Sequence, residues 1–397
     1  MTRNTWESSG WAQWGWVGAM GLGVARSLLR AGFAVHACDL RRQVLDAFAA
    51  EGGVACASPA ELGDKCEVVL TVVVNAAQTE AVLFGEQGAV EAMKPGGVVL
   101  ACATVSPQFA AGLGRRLEEN GILMLDTPLS GGAAKANSGE MTMMTSGPAA
   151  AYAACEDVLD AIAGKVYRLG DAHGAGSKVK IINQLLAGVH IAAAAEAMAL
   201  GLREGVDPDA LYDIITHSAG NSWMFENRVP HILAGDYTPL SAVDIFVKDL
   251  GLVLDTARTS KFPLPLSVAA HQMFMMGSTA GHGGEDDSAV IKIFRASKSR
   301  RERSNGAGTA RLYRRRFHRR DRSRQHARSR RHADGVNHRR AGRRRANRSR
   351  CARRRAEVAH DSRRRRRAPV ARSARLAARA GLQAVFLQIL LDLRFHG

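Results

Sequence analysis

Cysteine is scarce and scattered. The six cysteines (38, 56, 66, 102, 155 and 351) form no CxxC pair and no cluster with histidine. That argues against a disulfide framework or a zinc site, predicts no metal, and fits a reducing, cytoplasmic setting. Missing too is an unbroken apolar run of the roughly 18 residues that a membrane span needs. The N-terminus lacks the continuous apolar core of a signal peptide. Acidic residues are nearly absent from 295–397, which hold 6 of the 37 Asp+Glu but 35 of the 55 Lys+Arg. The formal charge of +18 is therefore the sum of −11 over residues 1–294 and +29 beyond. The first part reads as an acidic globular protein and the second as an arginine tract.

What is present divides the chain further. From Gly18 to about Val166, short apolar runs alternate with helical stretches. The runs are AVHACDL (34–40), VVLTVVV (68–74), GGVVLACAT (96–104) and GILMLDTPL (121–129), with GEMTMMTSG (139–147) as a later strand. The helical stretches are 24–31, 59–63, 78–93 and 107–120. Near-continuous apolar strands between helices predict a parallel sheet covered on both faces. The style changes near residue 174. Residues 174–205 contain no proline, are rich in Ala and Leu, and predict one long helix of some 28 residues ended by Gly205. Helical segments follow at 207–218, about 241–258 and 264–279. The expected fold is α/β: a Rossmann domain over 1–172, an all-α domain over 173–294 joined through the long helix, and an Arg-rich, disordered tail over 295–397.

The tail admits two readings. One is a nucleic-acid-binding arm, since arginine neutralises phosphates. The other is translation out of frame, because CGN codons of a GC-rich gene yield arginine runs when the frame slips. The genetic code favours the second. Shifting the frame at FRASKS permits Pro-Gly-Ile-Glu-Glu, an ordinary chain end. The other shift across LYRRRFHRRDRSRQH permits Cys-Ile-Ala-Asp-Asp-Phe-Thr-Gly-Ala-Thr-Asp-Leu-Ala-Asn, which resembles the start of a four-carbon acid sugar kinase. On that reading the tail has no selected nucleic-acid binding, and LQAVFLQILLDL (382–393) is an accidental apolar stretch. Resequencing the gene through codon 295 tests it.

Three motifs carry chemistry. GAMGLG (18–23) opens a helix; Gly18, Met20 and Gly21 would let the backbone approach a pyrophosphate at a helix N-terminus. Asp39 ends the next predicted strand 18 residues after Gly21, the spacing of a carboxylate that bonds ribose hydroxyls and favours NAD over NADP. Arg41 and Arg42 stand ready to bind a phosphate instead. DTPLSGG (126–132) offers backbone N–H groups and a hydroxyl that suit a carboxylate, or else is a plain flexible loop. In GAGSKVKIINQ (174–184), Lys180, Asn183 and Gln184 share a helix face. A partly buried lysine there can transfer protons. Lys178 lies about 200° around the helix from Lys180.

In this order the motifs resemble one family, the β-hydroxyacid dehydrogenases, which include 3-hydroxyisobutyrate dehydrogenase and tartronate semialdehyde reductase. The resemblance spans about 17–294 and includes NAAQTEAVLFGEQG (75–88), CATVSP (102–107), FVKDLGLVLDTA (246–257) and GHGGEDDSAVIKIF (281–294). It implies NAD as cofactor, a small hydroxy acid as substrate and a helical domain that often dimerises. It assigns Lys180 as the catalytic lysine. Ser130, Gly131 and Gly132 would hold the substrate carboxylate, with Asn183 beside the substrate. Gln184 replaces a second asparagine that usually touches substrate. Asn75 and Thr104 fall on cofactor loops, and Lys248 lies near nicotinamide and substrate. Within the family the sequence resembles members that oxidise the four-carbon acid L-threonate to a 2-oxo acid, a product such a kinase could consume. Tartronate semialdehyde reduction, 3-hydroxyisobutyrate oxidation, and an inactive nucleic-acid-binding protein are the alternatives.

The first strand expected by that family is missing. TWESSGWAQWGWV (5–17) holds four of the five tryptophans, and Trp16 stands where the first glycine of the fingerprint belongs. The shifted frame permits Val-Gly-Val-Ile-Gly-Leu-Gly-Ser-Met-Gly-Leu-Gly, a strand and an intact fingerprint. The expectation is weak NAD binding by the chain as it stands.

Overall fold

A computed structural model describes residues 19–294 and 384–389. Gly18, Trp16 and most of the arginine tract lie outside the described residues. The first half alternates strand and helix: α1 (Ala19–Arg30), β1 (Ala34–Asp39), α2 (Arg42–Ala50), β2 (Val54–Ala55), α3 (Pro59–Lys65), β3 (Val68–Thr71), α4 (Ala76–Phe84), α5 (Ala89–Ala92), β4 (Val98–Ala101), α6 (Pro107–Glu119) and β5 (Leu123–Asp126). There follow β6 (Leu129–Ser130), α7 (Gly132–Ser138), β7 (Met141–Thr145), α8 (Ala149–Ile162) and β8 (Ala163–Arg168). Between Arg168 and Ala175 the chain turns all-helical: α9 (Ala175–Arg203), α10 (Pro208–Thr216), α11 (Trp223–Ala234), α12 (Val243–Thr259) and α13 (Pro265–Gly277), closed by a 3₁₀ segment, Asp287–Phe294. The last described element is β9 (Ala384–Ile389).

The main sheet runs β2-β1-β9-β3-β4-β5, and every pairing is parallel. β3 (VVLT) and β4 (VVLA) are buried at all four positions. Their residues alternate between two cores, as a period of two requires. Val68, Leu70, Val98 and Leu100 join the cluster with Val24 and Leu28 of α1. Val69 and Val99 join the one with Leu83, Leu113 and Leu117 of α4 and α6. Proline in the first turn and a side-chain cap start several helices: Ser58 accepts from the Glu61 N–H, Ser106 from Phe109 and Asp207 from Ala210. A second sheet, β6-β7-β8, follows β5.

α9 is the spine of the helical half. Its buried stripe includes Lys180, Gln184, Ala187, Ile191, Ala195 and Met198 and packs on α11, α12 and α13. Gly188 makes room for α12: a Cβ there would lie 3.0 Å from Leu250 and Phe246. Phe246 stacks on Phe274 of α13 with ring centroids 5.1 Å apart. By length and mean composition α9 could cross a membrane, alone among the described helices, although charged and polar residues interrupt its apolar runs. Here its buried apolar stripe serves the core of the helical half.

Two sequence expectations change. The helix foreseen over 78–93 is two, because the chain turns through Gly85–Gly88 between α4 and α5. The stretch 382–393, expected within a disordered tail, contributes six residues to β9. Those residues form backbone bonds on one side to β1 and on the other to β3.

Candidate active site

The parallel strands β1, β3, β4 and β5 end at one edge of the sheet, with Asp39, Thr71, Ala101 and Asp126 as their last residues. Ligands of doubly wound sheets bind outside such an edge. Asp39 is buried and accepts from the N–H and guanidinium of Arg41 at 2.8 and 3.1 Å. Arg42 pairs with Asp46 at 3.0 Å. Arg41 is thus held against the buried Asp39, while the Arg42–Asp46 pair is exposed; the carboxylate at the end of β1 is what favours NAD over NADP. Met20 and Gly21 lie in the first turn of α1. Gly23, one turn on, allows the close approach of α7: a Cβ there would meet Asn137 N at 2.7 Å. Sequence reading credited only its neighbours. Asn75 caps α4, its Oδ1 accepting from the Gln78 N–H at 2.8 Å. Thr104 lies on the loop after β4 and offers its carbonyl to Lys248 Nζ at 3.0 Å. These residues fit a dinucleotide laid along the edge, with Asp39 at its ribose end.

Asp126 fixes the start of α9. Its carboxylate accepts from the N–H groups of Gly174 and Ser177 at 3.1 and 2.8 Å, and from Ser177 Oγ at 2.7 Å. The charge also faces the positive end of the helix dipole. Burial raises its pKa, against the pull of those donors. The motif DTPLSGG was noticed for its serine and glycines; its aspartate, which ties strand to helix, was not.

Lys180 sits one turn into that helix. It is 7 % exposed, and its Nζ donates to the Leu129 carbonyl at 2.8 Å, beside Ser130. Lys178 is exposed. Gly131 and Gly132 have φ of +134° and +71°, which favours glycine, and they start α7 after Ser130. Burial lowers the Lys180 pKa to about 8; Asp249 draws it up and Lys248 presses it down. Lys248 Nζ lies 2.6 Å from Asp249 Oδ1, in a geometry that makes an ion pair rather than an aligned hydrogen bond. Gln184 Nε2 donates to Asp249 Oδ2 at 2.5 Å, while Gln184 Oε1 accepts from Asn183 Nδ2 at 3.0 Å. Both ends of the Gln184 side-chain amide are therefore engaged within the protein. Asp249 was missed in the sequence, where only its neighbour Lys248 was singled out.

A parallel sheet with its ligand edge, a buried lysine beside a glycine loop and a capping helical domain define a two-domain, nicotinamide-dependent dehydrogenase. Two family models match in succession: the NAD binding domain of 6-phosphogluconate dehydrogenase over 14–170, and the NAD-binding domain of NADP-dependent 3-hydroxyisobutyrate dehydrogenase over 174–294. The chain is 83 % identical over 278 residues to L-threonate dehydrogenase of Cupriavidus necator, covering 70 % of this chain and 94 % of that one. It is 52 % identical to the L-threonate dehydrogenase of Escherichia coli K12, covering 70 % and 92 %. A crystal structure of 3-hydroxyisobutyrate dehydrogenase from Salmonella typhimurium matches with a TM-score of 0.67 at 55 % identity, covering 70 % and 97 %. The chain belongs to the β-hydroxyacid dehydrogenases, NAD-dependent enzymes of the 3-hydroxyisobutyrate dehydrogenase type.

Proposed function

We propose that the site oxidises L-threonate, or a closely similar four-carbon hydroxy acid, to the 2-oxo acid. The observation that carries the chemistry is Lys180: a buried amine with a pKa of about 8, 2.8 Å from the carbonyl that precedes Ser130. As the neutral amine it accepts the proton of the substrate hydroxyl. The N–H groups of Ser130, Gly131 and Gly132, with the Lys248 ammonium, hold the substrate carboxylate. Asn183 lies beside the substrate, and Gln184 supports it from behind through Asp249. Bound NAD supplies the hydride acceptor; the protein orients and polarises. The four-carbon preference rests on the likeness to the L-threonate dehydrogenases.

Exposed Ile182 and Leu186 on α9 and Leu266 and Met276 on α13 support a homo-oligomer. The kinase-like reading downstream supports a pathway neighbour that phosphorylates the product, with both enzymes in the cytoplasm. The test is a substrate panel on the whole chain, as it stands and with the first strand restored. It would include L-threonate, D-threonate and 3-hydroxyisobutyrate with NAD, and tartronate semialdehyde with NADH. Fastest turnover of L-threonate is expected. Preference for tartronate semialdehyde, or inactivity of the restored chain on all four, would sink the reading.

A further inference from the structure

The strands β1 and β3 do not bond each other. β9 lies between them, paired with β1 over six positions, Ala34↔Ala384 to Asp39↔Ile389, and with β3 over four, Val68↔Val385 to Thr71↔Gln388. Doubly wound sheets of this class run 3-2-1-4-5-6. With β2 and β1 as the third and second strands, and β3, β4 and β5 as the fourth to sixth, β9 holds the first place. In such folds the first strand runs directly into the helix that here is α1. In this chain the residues before α1 are rich in tryptophan, while AVFLQI comes from far downstream. Without an occupant, two strands in the middle of the sheet would each present a row of unpaired N–H and C=O groups, which a buried sheet does not tolerate.

We propose that residues 384–389 are a strand donated by the chain's own C-terminal segment into the slot of the first strand, and that the sheet depends on it. Recognition is by main-chain hydrogen bonds, as in strand addition generally. The slot therefore accepts a mostly apolar six-residue segment whether or not selection shaped it. The 89 residues between Phe294 and Ala384 leave ample chain to reach it at about 3.3 Å per residue. The donated strand brings no glycine turn with it, since Leu390, Leu391 and Asp392 follow. It completes the sheet without rebuilding the pyrophosphate cradle.

The register supplies the test. Cys38 is the partner of Gln388, and paired residues of neighbouring strands lie about 4.8 Å apart, within disulfide reach. In the full chain, Gln388→Cys should form an intrachain disulfide with Cys38 under mild oxidation, identified by peptide mass mapping. Leu387→Cys, whose partner is Ala37, should not. Failure of the first bond, or its formation only between two chains, overturns the proposal. A second measurement covers stability: Phe386→Pro removes a backbone donor in the middle of the strand. Amide exchange at 35–38 and 68–71 should then speed up at least tenfold, and unchanged protection there would also overturn it.

Discussion

Gln184 on α9 and Asp249 on α12 meet at 2.5 Å, Nε2 to Oδ2. The bond joins the helix that carries Lys180 to the helix that carries Lys248. Removing one side leaves a buried carboxylate oxygen without its donor. Gln184→Leu should therefore cost about 1–3 kcal/mol, read as a lower denaturation midpoint. An unchanged midpoint would mean that Asp249 has other support.

Lys180→Ala should lower turnover by about 10²–10⁴, the range for losing a positioned acid or base. NAD affinity should hardly change. The comparison belongs in a chain with its first strand restored, where turnover is measurable. Equal turnover in the two forms would remove Lys180 from the chemistry.

The pH dependence follows from the same lysine. Its amine is the base, so oxidation should quicken as pH rises through about 8. Asp249 raises that pKa and Lys248 lowers it. Asp249→Asn should move the inflection of kcat to lower pH, and Lys248→Met should move it higher. Stability carries the same sign: the folded pKa lies below the ordinary 10.5, so the fold bears a buried charge below about 8 and gains stability from there up to 10.5. Inflections that move together would show that the charges act through structure alone.

NAD should bind weakly to the chain as it stands. Asp39, Asn75 and Gly23 are in place, but the sequence puts Trp16 where the turn is tightest. Replacing residues 5–17 with the strand of the shifted frame should recover the affinity, measured by calorimetry. Tight binding by the unaltered chain would refute the frame-shift reading of the N-terminus.

The long helix was legible because Ala and Leu repeat without proline, and its observed span, Ala175–Arg203, lies within the expected 174–205. Lys180 could be separated from Lys178 by helical angle alone. α11 was not legible, since Pro230 inside it reads as a break. Nor could the partner of Gln184 be found, because Asp249 is 65 residues away and only packing joins them. β9 escaped for a different reason. Composition marked its surroundings as an arginine tract, and no local pattern says that six mostly apolar residues will pair with strands more than 300 residues earlier.

That separation sets an order of events during synthesis. Ala34 and Ala384 are 350 residues apart. At about 5–20 residues per second a ribosome needs roughly 20–70 s to make the chain between them. Through that interval the inner edges of β1 and β3 lack their partner, and pairs this distant in sequence form slowly. If the sheet needs β9, β1 and β3 expose open edges until residues 384–389 have been made, and edges of that kind invite pairing with other chains.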